Sequence, residues 1–171
     1  MASCYEVWGA TTAVLTAPPV AALSSASANT VGTVQQLKFT QRVTLVEWGY
    51  ALKQAAAAPC AVELIDTGTV PATGLTAYVA GDIVRYNNTL ITDTPPLTLG
   101  TGASGFGLAA GEGVITATRL LDFQWEGGLY IKKQIPLGRD PEVPSPNYLR
   151  IRITPPSAVA VSIVPYVIFE V

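Results

Sequence analysis

Between Gln41 and Asp66 the chain reads QRVTLVEWGYALKQAAAAPCAVELID: a long apolar strand carrying Trp48, an alanine-rich interruption and a second strand. That stretch does most to restrict the fold. Its apolar residues Val43, Leu45, Val46, Trp48 and Tyr50 alternate imperfectly with Arg42 and Thr44, which predicts either a β-bulge or a strand buried on both faces. Pro59 limits Lys53 to Ala58 to one helical turn, because the residue before a proline is pushed out of the α region. From Cys60 to Ile65 the β pattern resumes, with Val62 and Leu64 facing a core and Glu63 facing out.

The rest of the chain repeats this logic. Val34, Leu37 and Phe39 precede the central stretch in strand-like spacing. Short strands are expected around Asp82 to Tyr86 and Thr89 to Thr92, joined at Asn87-Asn88, residues that tolerate the positive φ of a tight turn. Asn87-Asn88-Thr89 also fits a glycosylation sequon, read here as chance. Leu121, Phe123 and Trp125 alternate with Asp122, Gln124 and Glu126. A loop over Glu126 to Gly128 would pair Trp125 with Leu129 and Phe123 with Ile131 in a hairpin whose apolar faces agree. Trp48 and Trp125 are thus expected in the core.

Leu149, Ile151 and Ile153 point one way, and Tyr148, Arg150, Arg152 and Thr154 the other. A turn at Pro155 to Ser157 would bring Ile151 against Val161 and Leu149 against Ile163. Pro165 in the last strand lacks an amide donor, which places it at an edge or a bulge. Pro136, Pro141, Pro144 and Pro146 favour a stiff, extended connection. Strands at intervals, Pro/Gly-rich turns and no long helix indicate an all-β, β-sandwich or jelly-roll-like single domain over residues 31–171.

Residues 1–30 differ. Ala, Ser, Thr, Val and Pro dominate, and charge is nearly absent after Glu6. The segment reads as an extended N-terminal arm, laid over a neighbouring subunit through Tyr5, Val7, Trp8, Val14 and Leu15 or packed on its own domain. Leu75 to Gly113 is loop-rich, and after Pro95 and Pro96 a glycine-rich stretch runs to near Gly113; a loop this long inside a compact domain is uncommon, which marks it as functional or held by a partner.

Charge is scarce: 13% of residues are charged, about half the usual share, against 49% hydrophobic. Such a composition points to surface that ends up against other protein. The ten Lys and Arg are scattered and the net charge is -2, so no nucleic-acid or anionic-lipid footprint is expected. No apolar run reaches the roughly 20 residues of a membrane span, and the start lacks the pattern of a secretory signal. Cys4 and Cys60 are expected as free thiols.

The chemistry available is narrow. There is no histidine, which excludes Ser-His-Asp and Cys-His nucleophile pairs and His-based metal sites, and two cysteines cannot close a zinc site. No metal, cofactor or catalytic residue is expected. Carboxylate pairs such as Asp140/Glu142 or Glu112 with Asp122 are the remaining route to an enzyme, by acid-base attack on a glycoside. Gly100-Thr101-Gly102-Ala103-Ser104-Gly105 fits G-x-G-x-x-G, but no helix pattern follows to receive a pyrophosphate, so it reads as a loop. Arg150 and Arg152 are candidates for pairing with carboxylates of a neighbour, although solvated strand charges explain them as well.

Val46-Glu47-Trp48-Gly49, then Val62-Glu63-Leu64 and Thr67, then Tyr148-Leu149-Arg150-Ile151-Arg152, together give a pattern that resembles small all-β structural proteins of tailed bacteriophages, above all capsid decoration (cement) proteins. The resemblance covers residues 31–171 and leaves the arm unmatched. It implies a non-enzymatic protein on the capsid exterior of a virion, assembled in the host cytoplasm. The implied partners are the major capsid protein and further copies of itself, as a homotrimer. Its mechanism would be mechanical: buried area added across joints between capsid subunits, multiplied by symmetry. A phage tail or baseplate protein, or a host-surface glycan-binding β-sandwich, is the alternative.

Overall fold

The computed structural model describes residues 3–9, 24–26, 30–52, 59–86, 94–116, 118–126, 130–156 and 160–171. In chain order the strands are β1 (Cys4–Trp8), β2 (Ser24–Ala26), β3 (Gly32–Lys38), β4 (Val43–Leu52), β5 (Cys60–Asp66), β6 (Thr76–Ala77) and β7 (Ile83–Arg85). They continue as β8 (Gly105–Phe106), β9 (Arg119–Glu126), β10 (Tyr130–Gln134), β11 (Glu142–Val143), β12 (Tyr148–Thr154) and β13 (Val161–Glu170). A seven-stranded sheet runs β10-β4-β13-β1-β7, with β11 also on β4 and β2 on β13. A six-stranded sheet runs β6-β8-β3-β12-β5-β9. The chain is all-β, with two antiparallel sheets closing on one core in the manner of a β-sandwich. Among the described residues no helix is long and apolar enough to cross a membrane.

The core is built by alternation. From the first sheet come Leu45, Trp48, Tyr50, Ile163, Val167 and Phe169; from the second come Leu37, Val62, Leu64, Leu149, Ile151 and Ile153. The uneven spacing in β4 has a local cause. β13 pairs Ile168 with Glu47 and Phe169 with Leu45, leaving Val46 without a partner. This bulge shifts the phase, so Val43 and Leu45 point inward before it and Trp48, Tyr50 and Leu52 point inward after it. Bulges of the same kind leave out Val34 of β3 opposite β12 and Leu121 of β9 opposite β5.

Pro165 lies in β13 where its pairing with β1 ends. Its carbonyl accepts the Gly9 amide at 2.7 Å. An antiparallel residue turns its N–H and C=O to one side, so the donor that proline lacks would have faced Gly9, just past the last β1 pair at Trp8 and Tyr166, and the ladder with β4 is untouched. The proline thus costs one bond at the end of a ladder, where it is tolerated.

Three expectations need correction. β9 and β10 form no hairpin: β9 pairs with β5 and β10 with β4, in opposite sheets. β12 and β13 likewise separate, β12 between β3 and β5 and β13 between β4 and β1. In both cases successive strands lie in opposite sheets, and their apolar faces meet across the core instead of side by side. The third concerns the division at residue 30. β1 lies inside the first sheet, paired with β13 over Cys4 to Trp8 and with β7 over Tyr5 to Val7, so this part of the 1–30 segment belongs to the sandwich. The strand expected around Asp82 to Tyr86 is β7, while Lys53 to Ala58, the Asn87-Asn88 turn and the strand expected over Thr89 to Thr92 lie outside the described residues. No disulfide joins Cys4 and Cys60.

Gly49 shows how tightly the first sheet is packed. A Cβ there would press into the Ile131 carbonyl oxygen and come within 2.7 Å of Tyr166 Cε1. Gly49→Ala is therefore expected to destabilise the fold by about 1–3 kcal/mol. Gly81→Ala, where a Cβ meets nothing within 4 Å, should stay within about 0.5 kcal/mol of the parent. Urea unfolding of both variants measures the contrast.

Candidate interaction surface

The outer face of the six-stranded sheet carries several of the buried polar groups. Arg150 of β12 is fully buried. Its Nη1 donates to the Glu112 carbonyl at 2.9 Å and Oε2 at 3.3 Å, and its Nη2 donates to the Val70 carbonyl. Glu112 also accepts the Thr33 amide and hydroxyl, each at 2.6 Å. Burial pulls the guanidinium below its usual range, and the Glu112 carboxylate pushes back. Gln36 works beside it, donating to the Ala103 carbonyl and accepting the Ala72 amide, both at 2.7 Å. These bonds hold the loops around residues 70–73 and 103–112 onto their own sheet.

This placement corrects the role expected for Arg150 and Arg152 at a subunit contact. Arg150 has no surface to offer a neighbour. Arg152 pairs with Glu63 at 2.7 Å in the same chain. Glu112 is held by Arg150 and Thr33, and Asp122 by partners given below. The Gly100 to Gly105 motif runs through turns into β8 with no helix behind it, so its glycines serve a loop.

The N-terminal candidates divide. Tyr5 and Val7 are buried in the chain's own core, which removes them as contacts to another subunit. Trp8 is half-buried on the outer side of the first sheet, stacked on Tyr166 with ring centroids 4.7 Å apart. The end of β1 is pinned by side chains from elsewhere: Gln35 Nε2 donates to the Val7 carbonyl at 3.0 Å, and the Tyr78 hydroxyl donates to that of Trp8 at 2.7 Å. Val14 and Leu15 lie outside the described residues.

The surface that stands out is β9, the last strand of its sheet. Leu120, Phe123 and Trp125 are 58%, 42% and 65% exposed, and the Phe123 and Trp125 rings lie 6.1 Å apart, nearly parallel. Phe123 sits opposite Glu63, whose charge Arg152 neutralises, so the border of the patch is electrically quiet. The polar side of the strand faces inward. Asp122 Oδ2 accepts the Trp48 indole N–H at 2.8 Å from across the core, and Oδ1 meets Lys133 Nζ of β10 at 2.7 Å. That clasp ties the rims of the two sheets together and turns the aromatic side of β9 outward.

The expectation that Trp125 and Phe123 are core residues is therefore reversed. Alternation distinguishes two faces of a strand without saying which is inside. A buried indole that needs an acceptor was the missing signal, and it appears only once the sheets face one another. Compared with known protein families, curated proteins and solved structures, the chain matches none of them.

Two outcomes test this reading. Asp122→Ala leaves the fully buried Trp48 N–H without its acceptor and should cost about 1–3 kcal/mol. Asp122→Asn keeps an acceptor and should cost less, as denaturant titration would resolve. Separately, burial holds the Tyr78 hydroxyl far above the ordinary phenol range. A raised folded-state pKa contributes stability that is complete below the unfolded value of about 10 and fades as pH rises beyond it. Tyr78→Phe should therefore flatten the loss of stability above that pH.

Proposed function

We propose that this protein is a non-enzymatic virion structural protein that decorates a bacteriophage capsid and stabilises it by bridging neighbouring major capsid subunits. The observation that carries the reading is the exposed Leu120, Phe123 and Trp125 on β9, displayed because the strand's polar residues are occupied inside. Contiguous apolar surface of this kind marks interaction sites, and tryptophan is enriched among residues that dominate binding energy. The likeness of the strand pattern to decoration proteins supplies the capsid as partner. A β-sandwich with few charges suits a mechanical role at joints of the shell, on the exterior of a virion assembled in the host cytoplasm. The bridging element in this reading is the face of β9, in place of an N-terminal arm.

A second reading, a glycan-binding module of a tail or baseplate, draws on the near-parallel Phe123 and Trp125 rings, since sugars stack on such platforms. Their location on the exposed face of the outermost strand of its sheet favours a protein surface.

The test is co-sedimentation of the purified full-length protein with undecorated phage heads. Parent protein should pellet with the heads, and Trp125→Ser should weaken binding by tenfold or more, the equivalent of about 1.4 kcal/mol. Removing residues 1–30 would take β1 out of the sheet and so measures folding, not contact. A parent protein that stays in the supernatant with every head form sinks the capsid reading, and retention on host-envelope glycans instead would put the second reading in its place.

A further inference from the structure

We infer that the open edge of β9 is a two-fold self-pairing surface, through which a second copy of this chain joins β9 to β9 antiparallel, centred on Phe123, and makes the two six-stranded sheets continuous. Three features carry this. The first is the free edge. β9 is outermost in its sheet, and the Phe123 N–H donates to the carboxylate of the preceding Asp122, at 2.8 Å in an exposed setting. Among the described residues no strand receives that ladder donor, and such an edge is the template on which another strand assembles.

The second is the register. With the two-fold axis at Phe123, Phe123 meets its own mate and Asp122 meets Gln124 of the second copy. Leu121 is already bulged out against β5. Skipped in the same way, it brings Leu120 opposite Trp125 and Arg119 opposite Glu126. Every pair then joins positions on the same face: Leu120, Phe123 and Trp125 are paired with the outward positions Ile65, Glu63 and Ala61, and Arg119, Asp122, Gln124 and Glu126 with the inward Asp66, Leu64, Val62 and Cys60. Opposite charges meet at both ends, and no like charges face each other. Moving the axis to Gln124 sets Asp122 against Glu126, and moving it half a step sets outward Phe123 against inward Asp122. Of these three registers, the Phe123 axis is the one that satisfies both faces and charges.

The third is what the pairing covers. Trp125 against Leu120, Phe123 against Phe123 and Leu120 against Trp125 make one apolar strip from two patches, with side chains at cross-strand contact distance. Sheet edges are ordinarily blunted by an inward charge or a bulge. Here the inward charge of Asp122 is neutralised by Lys133 within the chain, and the bulge repeats identically in both copies. The strip leaves the outer face of the joined sheet available, so the pairing stands whether or not that face meets a capsid.

Sedimentation velocity on the purified protein alone tests it. The parent should be a dimer at concentrations on the order of 100 µM. Glu126→Arg, which faces Arg119 of the second copy twice over, should weaken association by roughly tenfold or more, and Trp125→Lys should do the same. Arg119→Glu should also be a monomer, and an equimolar mixture of Arg119→Glu and Glu126→Arg should recover the dimer, because both contacts are then complementary. Arg119 also pairs with Asp66; if Arg119→Glu does not fold, Glu126→Arg and Trp125→Lys against the parent decide. A parent that is monomeric or trimeric, or a dimer untouched by both of these variants, overturns the proposal. No phage heads enter this experiment, so its failure leaves the capsid reading standing, and failure of head binding leaves the dimer standing.

Discussion

The bulge at Val46 is the constraint on which the rest of the sandwich depends. β4 and β13 are the longest strands, paired from Leu52 to Thr44, and Val46 is the one residue of β4 in that span that β13 skips. Without the skip, a strand with Val43 and Leu45 inward would present Glu47, Gly49 and Ala51 to the core. With it, Trp48, Tyr50 and Leu52 turn inward and those three turn out. Outside, Glu47 accepts the Tyr166 hydroxyl at 2.7 Å and pairs with Lys132 at 3.2 Å. Gly49 leaves room for the Tyr166 ring, and Trp8 stacks on the ring's other side. Inside, the Trp48 indole reaches Asp122 and decides which way β9 faces. One unpaired residue in β4 therefore governs the aromatic surface on a strand of the opposite sheet.

Much of the strand content was legible because burial is periodic. β5 and β12 have the predicted inward sets, Val62 and Leu64, and Leu149, Ile151 and Ile153. The imperfect alternation before Tyr50 and the proline in the last strand both announced real irregularities, since each breaks a rule that a regular ladder enforces. Pairing partners were less legible. A Gly-Gly or Pro-Pro turn signals a reversal of direction, but a hairpin and a crossing between sheets satisfy the same apolar pattern. The choice is made by non-local partners: β9 is taken by β5, and β12 by β3 and β5. The low-complexity start hid β1 for a related reason, since its short alternation, Tyr5 and Val7 inward against Glu6 outward, has weight only between β13 and β7.

The interaction surface was hidden more deeply, because it depends on where scarce polar groups are spent. Arg150 and Arg152 looked like a charged outward stripe. One is sealed under a loop by Glu112, 38 residues earlier, and the other is matched by Glu63 on the next strand. A guanidinium so buried is tolerated because Glu112 meets its charge and the Glu112 and Val70 carbonyls take Nη1 and Nη2, while Nε has no partner among the described residues; breaking such a set is costly even where forming it contributes little. Conversely, Trp125 and Phe123 looked like core. They stand outside because Asp122, on the other side of the same strand, has the more demanding requirement.

The ion pairs also shape what kind of association this surface supports. Arg42–Glu142, Arg119–Asp66, Lys132–Glu47, Lys133–Asp122, Arg150–Glu112 and Arg152–Glu63 are all formed within the chain. The more exposed of them add little stability, yet they cancel charge within the chain that would otherwise be left for a partner. Electrostatic steering is then weak, and the energy of any contact through β9 comes from apolar area and strand pairing, terms that salt barely screens. A surface of this kind suits an assembly that forms once and stays, since its strength does not fall as ionic conditions change.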